Sequence, residues 1–304
     1  MKKLLIAFVF AMALGACGNN SAELTETIRF GVMSSIDAIP FIVADELGFF
    51  EEAGVSVEIH PFSNSADRDA AFQAGQIDGT IADLVAVGLY NEGGFEVRYT
   101  GTTNGRFTLV ANAAFSGFED LKGEDVLISF NTAIEFSLDQ MLAYNGLDSN
   151  FLNKESVPPI PTRMELLRND QAASAVLPEP FSSIARDSGF VGVMSTDDLE
   201  INPFITAFTL EALESKEAEI IAFKQAYDMA VEFINANTMD AFIEPVIERV
   251  GFPDAMRDLV ELPVLVPTSM PQLSHIQTAL DWLRDRDMLH KDLQPEDLVW
   301  EFSN

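Results

Sequence analysis

The sequence predicts an α/β protein in which parallel strands alternate with helices. Short apolar, strand-like runs are followed by helical segments, a pattern typical of parallel βαβ units when the helices are about 10–15 residues long. The alternation occurs in two series, the first beginning at Ile28 and the second at Phe118. With 304 residues and a hydrophobic fraction of 48%, the chain is long enough for two domains with cores of their own.

The first series begins with an alternating strand at residues 28–32, which runs into a polar loop at residues 33–37. A helix follows, with Pro40 in its first turn, where the missing N–H is not needed, and with Gly48 as its terminator. The next predicted strand covers residues 55–59.

The second unit of this series has the same order. A polar loop at residues 63–67 leads to a helix over residues 68–74, and Gly75 ends that helix. Residues 76–83 are predicted to form a short buried strand with its loop. Two further strands complete the series, at residues 97–101 and 107–111.

The second series starts with a strand at residues 126–130. Asn131 and Thr132, which follow it, are both suitable N-caps for a helix over residues 133–144. The remaining predicted elements are, in order, a helix over 164–169, a strand over 173–177, and helices over 214–236 and 272–286.

Residues 1–17 predict that the protein is exported. Two lysines precede eleven apolar residues, and small residues follow them, as in a secretory signal. An apolar helix of that length spans roughly 16 Å, about half of a bilayer core, so it is too short to be a stable membrane anchor. We therefore assign residues 1–16 to a signal peptide.

The segment ends in Leu14-Gly15-Ala16-Cys17, which resembles the lipobox of bacterial lipoproteins, where the cysteine is lipidated and becomes the mature N-terminus. The resemblance implies that Cys17 carries a lipid and that residues 17–27 form a lipidated tether. The alternative interpretation is a lone buried thiol. Cys17 is the only cysteine of the chain, so no disulfide can form within it.

The charge balance of the chain is strongly acidic. Asp and Glu number 48 against 18 Lys and Arg, which gives a formal net charge of −30. Nucleic acids and anionic lipid surfaces repel such a chain, so we expect no nucleic-acid partner. Two interpretations stay open: a solvated surface suited to salty or alkaline surroundings, or a field that attracts cationic solutes.

The motifs of common enzymes are missing from the sequence. The three histidines are scattered, and none has a partner at metal-ligand spacing. There is no glycine-rich nucleotide-binding motif, no HExxH and no GxSxG. The sequence therefore predicts no metal site, no cofactor and no enzymatic activity.

Polar and acidic residues follow the predicted strands. In open α/β sheets, ligands bind beyond the carboxyl ends of the strands. The candidate ligand-binding residues in those loops are Ser35, Asp37, Asp83, Asn131, Thr132, Glu135 and Glu179. Four carboxylates together favour a solute with an amine or amidine group, whereas an anion site is expected to show free helix N-termini with Ser, Thr and Arg. Each acid taken alone is also explained as a helix cap or a solvated carboxylate.

Three aromatic residues lie beside these loops. Phe62, Phe136 and Phe181 are placed to stack on a ring of the solute, or else they belong to the core, as most of the 24 phenylalanines must.

Several segments resemble the substrate-binding proteins of ABC importers for nitrate, sulfonates, taurine and thiamine-pyrimidine precursors. Residues 39–57, IPFIVADELGFFEEAGVSV, are similar to the opening signature of that family, and residues 74–79, AGQIDG, resemble a second family segment. Residues 121–123 and 179–180 fall where the family has comparable motifs.

The resemblance implies a type II periplasmic-binding-protein fold, in which two α/β lobes joined by two crossover hinges close on a solute in the cleft between them. Lobe one is expected to comprise residues 28–104 and 205–304, and lobe two residues 105–204. The resemblance also implies a membrane permease and a cytoplasmic ATPase as partners.

Together these features predict a monomeric, lipid-anchored solute receptor, located in the periplasm or at the outer face of the cell membrane, that serves an ABC importer. The carboxylates favour a neutral or cationic nitrogenous solute of the thiamine-pyrimidine kind. The alternative solute is an anion such as an alkanesulfonate, taurine or nitrate, held by helix N-termini. Two further alternatives are an enzyme that acts in the same cleft and a surface lipoprotein without a permease.

Overall fold

The computed structural model of the chain describes residues 25–115, 117–259, 262 and 264–303. The predicted signal peptide and Cys17 lie outside the described residues, so the lipid anchor stays a prediction. Within the described ranges, no helix combines the length and the apolar character that crossing a membrane requires.

Two five-stranded sheets form the framework. The strands are, in chain order, β1 (Thr27–Met33), β2 (Ser56–Phe62), β3 (Gly79–Asp83), β4 (Val97–Thr102), β5 (Phe107–Ala111), β6 (Asp125–Ile128), β7 (Asn153–Ser156), β8 (Ser174–Pro178), β9 (Val191–Ser195) and β10 (Phe204–Thr209). The helices are α1 (Ile39–Glu46), α2 (Phe49–Glu52), α3 (Ser65–Gln73), α4 (Leu84–Glu92), α5 (Ala133–Tyr144), α6 (Ile160–Arg168), α7 (Phe181–Asp187), α8 (Leu210–Ser215), α9 (Glu217–Ala236), α10 (Ile243–Val250), α11 (Met256–Leu259) and α12 (Leu273–Asp285).

Both sheets are mixed. The first has the strand order β2-β1-β3-β10-β4, and the second has the order β7-β6-β8-β5-β9. In the first sheet β1 is parallel to β2 and β3, whereas β10 is antiparallel to β3 and β4. In the second sheet β6 is parallel to β7 and β8, whereas β5 is antiparallel to β8 and β9. Each sheet thus combines the predicted parallel units with a strand that runs against its neighbours.

The chain forms the second sheet as one excursion from the first. It leaves the first sheet after β4, builds β5 to β9, and returns as β10. Residues 103–106 and 196–203 connect the two sheets. We call lobe one the part built on the first sheet, with α1–α4 and α8–α12, and lobe two the part built on the second sheet, with α5–α7.

Helices pack on both sheets, which explains why many strands are nearly continuous apolar runs in the sequence. Strands β3, β5 and β8 are buried along their whole length. In lobe one, aromatic rings fill the space between β1, α1 and α9. The centroid of the Phe30 ring lies 4.8 Å from that of Phe41 and 4.7 Å from that of Phe223, a separation at which aromatic pairs add to the free energy of burial.

Side-chain caps begin four of the described helices, and at the start of α8 the cap is Thr209, which accepts a hydrogen bond from Ala212 N at 3.1 Å. Asn64 accepts a backbone hydrogen bond at the start of α3, and Asp83 accepts two at the start of α4. Thr132 Oγ1 accepts a hydrogen bond from Ile134 N at 3.2 Å at the start of α5. The predicted cap and the predicted span of α5, Ala133–Tyr144, are thereby confirmed.

The structure also contains elements that the sequence analysis missed. Most residues of α4 are buried, so no polar face reveals its helical period. Strand β7 is polar and largely exposed, and its backbone pairing with β6 holds it in place. Strands β9 and β10 were likewise not predicted. Helix α6 begins at Ile160, earlier than predicted, because Pro161 occupies its first turn, where proline is tolerated.

Candidate functional site

A cleft lined by both polar and apolar side chains lies between the lobes, near the ends of β1, β3 and β6. Its cavity measures about 60 Å³. The polar residues that line it are Ser35, Asp37, Asn64, Ser65, Arg68 and Asp83 from lobe one and Ser129, Thr132 and Arg163 from lobe two. The structure therefore brings four of the seven predicted ligand residues, Ser35, Asp37, Asp83 and Thr132, to one cleft.

Asp37 is a buried carboxylate in the short turn that follows β1, with 1% of its surface exposed. Its Oδ2 accepts a hydrogen bond from Thr103 Oγ1 at 3.1 Å. Its Oδ1 and the nearby Ser35 Oγ have no hydrogen-bond partner of good geometry among the described residues, although the Ser35 hydroxyl is close enough to act against the effect of burial on the pKa of Asp37. Burial raises the pKa of Asp37, because the charged form loses the most hydration. A donor group from a solute is therefore expected at Asp37.

Asp83 ends β3 and caps α4. Its Oδ1 accepts hydrogen bonds from Val85 N at 3.0 Å and from Ala86 N at 2.8 Å, which is the geometry of an N-cap. Burial raises the pKa of Asp83, while the charge of Arg68 and the backbone N–H groups of Ala86 and Ala133 act in the opposite direction. Because Ala133 begins α5 in lobe two, Asp83 interacts with both lobes.

Arg68 lies on α3 and lines the cleft from lobe one. Its Nη2 lies 2.7 Å from Asp69 Oδ1, and its Nη1 donates a hydrogen bond to Ile81 O at 3.2 Å. The charge of this arginine is therefore balanced within lobe one.

Arg163 lies on α6 and is fully buried behind the lobe-two side of the cleft. Its Nε donates to Val157 O and its Nη1 to Val176 O, each at 2.7 Å. Its Nη2 donates to Ser129 Oγ at 2.7 Å and to Pro158 O at 3.0 Å. Burial lowers the pKa of Arg163 to about 9, so the group remains charged at neutral pH. In the described part of the chain no carboxylate pairs with it, and lobe two thus carries a positive charge beneath Ser129.

The sequence analysis singled out neither arginine, although a signal was present. Arg68 shares the buried face of α3 with Ala71 and Phe72, and Arg163 shares that of α6 with Met164. An arginine on the apolar face of a predicted helix indicates a buried ion, which must be paired or hydrogen-bonded.

Two predicted ligand residues at the start of α5 do not line the cleft. Asn131 is exposed, has a φ of 60°, and donates its backbone N–H to Glu135 Oε2 at 2.9 Å. The Glu135 carboxylate is paired outside the cleft, with Lys154 at 3.2 Å and with Arg286 at 3.0 Å.

Glu179 is buried next to Pro178, at the edge of the cleft. Its Oε2 accepts a hydrogen bond from Ser183 N at 3.1 Å. Its Oε1 has no hydrogen-bond partner among the described residues, although Arg106 Nη1 lies 3.6 Å away and Arg186 Nη2 lies 3.7 Å away. The carboxylate therefore interacts with neighbouring cations and does not line the cleft.

The aromatic rings at the cleft differ from those that the sequence analysis considered. Phe107 and Phe204 line it, with their centroids 4.6 Å apart. Phe136 and Phe181 belong to hydrophobic cores, and Phe62 packs against one. The packing therefore places these three rings in or against the cores and not at the cleft.

The cleft is lined by hydroxyl groups from both lobes, with the carboxylates of Asp37 and Asp83 on lobe one. We call the pair Ser35 and Asp37 the lobe-one wall, and the pair Ser129 and Thr132, with Arg163 beneath, the lobe-two wall. Over the described residues, no group of three or more His, Cys, Asp or Glu side chains is placed to hold a metal ion. Apolar side chains, among them Phe107 and Phe204, complete the lining of the cleft.

The fold is similar to that of solved solute-binding proteins. The alkanesulfonate-binding protein SsuA from Xanthomonas axonopodis pv. citri, bound to MOPS, has a TM-score of 0.76 and 16% identity over 90% of this chain and 98% of its own. The aliphatic sulphonate-binding protein SsuA from Escherichia coli has a TM-score of 0.74 and 16% identity over 91% and 98%. The nitrate-binding protein NrtA from Synechocystis PCC 6803 has a TM-score of 0.73 and 16% identity over 90% and 84%.

These likenesses confirm the predicted two-lobed periplasmic-binding-protein fold. A stretch of 61 residues is 31% identical to the nitrate import ATP-binding protein NrtC from Synechococcus elongatus, but it spans only 20% of this chain and 9% of that relative.

The family itself is shown by the sequence. The profile of the family described as NMT1/THI5 like matches residues 35–238, which is more than half of the chain and includes both walls of the cleft. The chain therefore belongs to the NMT1/THI5-like family, and its fold is that of a periplasmic solute-binding protein.

Proposed function

We propose that this protein is the extracytoplasmic receptor of an ABC importer, which binds a small solute in the cleft and delivers it to a permease driven by an ATPase. The observation that carries the proposal is the pair of buried oxygens, Asp37 Oδ1 and Ser35 Oγ, which form no hydrogen bond of good geometry with any described residue, in a cleft between two lobes. Buried polar atoms in folded proteins nearly always have hydrogen-bond partners. A bound solute supplies the missing ones.

The binding mechanism follows from the positions of the two walls. The lobe-one wall and the lobe-two wall belong to different lobes, so a solute that contacts both interacts more strongly with the closed arrangement than with an open one. That difference in free energy shifts the population toward closure. In this proposal residues 103–106 and 196–203 act as hinges, lobe one comprises residues 28–104 plus 205–304, and lobe two comprises residues 105–204.

The favoured solute is a small neutral or cationic nitrogenous molecule, such as a thiamine-type pyrimidine. An N–H group of the solute offsets the cost of leaving Asp37 Oδ1 without a partner, about 1–3 kcal/mol for a buried acceptor. Arg163 also lines the cleft, but its guanidinium already donates four hydrogen bonds to protein atoms, one of them to Ser129. The unmet hydrogen-bonding capacity is therefore greater on the lobe-one wall.

A second candidate solute is a small anion, such as an alkanesulfonate, taurine or nitrate. The observation that favours it is the positive charge of Arg163 beneath Ser129. Ser129 Oγ accepts a hydrogen bond from the guanidinium at 2.7 Å, which leaves its own proton free to be donated into the cleft. The solved proteins of similar fold described above bind alkanesulfonates or nitrate.

The test is a thermal-unfolding screen of the purified protein against 4-amino-5-hydroxymethyl-2-methylpyrimidine, taurine, ethanesulfonate and nitrate, followed by calorimetry on the hits. A solute at 100 times its Kd stabilises the folded state by about 2.7 kcal/mol. We expect the pyrimidine to bind, Asp37→Asn to weaken it at least tenfold, and the exposed control Glu58→Gln to leave it unchanged.

Other outcomes of the screen decide between the candidates. An anion that binds Asp37→Asn as well as the parent protein replaces the favoured solute with the second candidate. Its affinity is then expected to rise with moderate salt, because salt screens the acidic surface that repels it. Failure of every compound contradicts both solute assignments.

The location of the receptor is a further part of the proposal. A signal peptide of residues 1–16, a lipid on Cys17 and a tether of residues 17–27 would keep a monomeric receptor at the membrane, near its permease. In a bacterial host, Cys17→Ser is expected to move the protein from the membrane fraction to the soluble extracytoplasmic fraction. A variant that stays with the membrane would rule out the lipid anchor.

A further inference from the structure

Helix α5 contacts both the cleft and the opposite lobe. Its first turn, with Ala133 and Ile134, lines the cleft from lobe two. Its following residues, Glu135, Phe136 and Asp139, contact α12 and the residue after it, Arg286, in lobe one. The position of the cleft wall is thus coupled to a contact between the lobes.

Four charged side chains form the polar part of this contact. Arg286 of lobe one pairs with Glu135 Oε1 at 3.0 Å and also with Asp139 Oδ2. Lys154 of lobe two lies 2.6 Å from Asp139 Oδ1 and 3.2 Å from Glu135 Oε1. The two carboxylate side chains are only 4% and 7% exposed. Because two cations face two carboxylates, the cluster is neutral, and loss of one member leaves a buried charge without its partner.

Trp282 forms the apolar part of the same contact. Its Nε1 donates a hydrogen bond to Asp139 Oδ2 at 2.9 Å, and the Arg286 guanidinium lies 4.3 Å from the centroid of its ring. The Phe136 ring meets the Trp282 ring edge-on, with centroids 5.7 Å apart and an interplanar angle of 86°. Phe136 is 1% exposed and, although it belongs to lobe two, it is packed in a core of lobe one.

Separation of the lobes would break these contacts together. Phe136 would become exposed, and Asp139 would lose two of its three partners, Trp282 and Arg286. Asp83 of lobe one would also lose the backbone N–H of Ala133. The free-energy cost of opening therefore has three parts: exposure of the Phe136 ring to water, loss of ion-pair partners for buried charges, and loss of the interaction between Asp83 and the Ala133 N–H.

We propose that Arg286 and Trp282 are positioning residues, which hold α5 against lobe one and so keep the cleft closed in the absence of solute. The residues that form this contact are Glu135, Phe136 and Asp139 on α5 and Trp282 and Arg286 on lobe one. The effect of this contact on affinity rests on the proposed receptor function. A receptor that is already closed spends less free energy on closure when the solute binds, so its affinity for the solute is higher.

The experiment compares Arg286→Gln with Arg284→Gln, in both cases in full-length protein without added solute. Arg284 lies two residues before Arg286, within α12, and it contacts Asp281 and the Leu293 carbonyl, both of which are in the same lobe. The chain has two tryptophans, Trp282 and Trp300. A Trp300→Phe background therefore makes the fluorescence emission report on Trp282 alone, while small-angle X-ray scattering reports the separation of the lobes.

We expect Arg286→Gln to shift Trp282 emission to longer wavelength and to increase the radius of gyration. Arg284→Gln should change neither quantity. Arg286→Lys, which keeps the positive charge, should change both quantities less than Arg286→Gln does. Thermal unfolding with an unchanged circular dichroism spectrum verifies that each variant is folded. If Arg286→Gln does not fold, Asp139→Asn, which removes one charge and keeps the shape, serves in its place.

The proposal fails if Arg286→Gln, folded, matches Arg284→Gln in emission and scattering. It also fails if Arg286→Lys behaves no better than Arg286→Gln, because the effect would then not depend on the ion pairs. Neither readout requires a solute, so failure here is distinct from failure of the solute screen, which tests the receptor function.

Discussion

The two walls of the cleft each contain a buried charge without an ion-pair partner in the described part of the chain, but the two charges are satisfied differently. Arg163 donates four hydrogen bonds, to three carbonyl oxygens and to Ser129. Asp37 has one oxygen bonded to Thr103 and the other without a partner. A buried ion whose lost hydrogen bonds to water are all replaced by protein hydrogen bonds stabilises the fold. A buried ion that keeps an oxygen without a hydrogen bond can still accept one from a solute. An unpartnered atom on a residue that lines the cleft marks the expected position of a solute; Glu179 Oε1 also lacks a hydrogen-bond partner, but Glu179 is outside the lining and lies near two arginines.

The largest effect that tests this comparison is the loss of Arg163. Arg163→Met keeps a long side chain but removes all four hydrogen bonds, which leaves the loop carbonyls of Val157 and Pro158 without their donor. We expect the free energy of unfolding to fall by about 3 kcal/mol, measured by urea denaturation. The comparison variant is Arg168→Met on the same helix, whose exposed side chain pairs only with Glu165, and it should change stability little. Unchanged stability of Arg163→Met would mean that the desolvation of the guanidinium cancels its hydrogen bonds.

Asp37 should behave in the opposite way when stability is measured. Burial raises its pKa in the folded state, so between the unfolded value of about 3.9 and the raised value the folded protein binds more protons than the unfolded chain. Stability therefore falls as pH rises through that window. Asp37→Asn removes this loss, so the variant should gain stability relative to the parent as pH rises and should keep that gain at pH 7.

Thermal unfolding of both proteins across pH 4 to pH 8 measures this difference. Asp83, whose pKa is also raised, is present in both proteins, so its contribution cancels in the comparison. A stability difference that stays constant with pH would show that the Asp37 charge is compensated in the folded state and would remove the reason to place a donor group of the solute there.

Much of the fold could be predicted from the sequence where local rules act alone. The cap at Thr132 and the period of the residues after it gave α5 its bounds, because capping and amphipathicity are read from neighbouring residues. Helix α4 was missed because burial on nearly all sides removes the amphipathic pattern. The polar strand β7 was missed because its pairing partner β6 is distant in the sequence, and no local preference for strand marks it.

The site was predictable only in part, for a related reason. Ser35, Asp37 and Asp83 could be placed at the cleft because strand ends meet at one edge of a sheet. Glu135 carries the same local signal, an acid in the first turn of a helix, but its partners Lys154 and Arg286 come from distant parts of the chain. The sequence indicates that a carboxylate must be neutralised, and only the tertiary structure decides whether a solute or a side chain does so.

A smaller effect separates the two solute candidates on the lobe-two wall. Ser129→Ala removes a hydroxyl that lines the cleft and is hydrogen-bonded to Arg163. We expect a nitrogenous solute held by Asp37 to lose at most a few-fold in affinity, whereas a sulfonate or nitrate should lose about tenfold or more, as expected for a hydrogen bond to a charged group. Isothermal titration with each solute measures this, and Ser65→Ala, at the lobe-one side of the cleft, is the matched control. An equal loss for both kinds of solute would mean that the lobe-two wall does not distinguish between them.

The smallest expected effect concerns Glu179, which sharpens the comparison because it is as buried as Asp37 but outside the cleft lining. Glu179→Gln keeps the size of the side chain and its bond from Ser183 N, while Arg106 retains Asp197 as a partner at 2.6 Å. We therefore expect solute affinity to change by less than about twofold, since the interactions of a group with no solute contact cancel between the free and bound states. A tenfold weakening, measured by the same titration, would mean that Glu179 turns into the cleft when the solute binds, as the sequence analysis had predicted. Burial would then be a poor guide to which carboxylates the solute meets, and orientation in the bound state would be the deciding property.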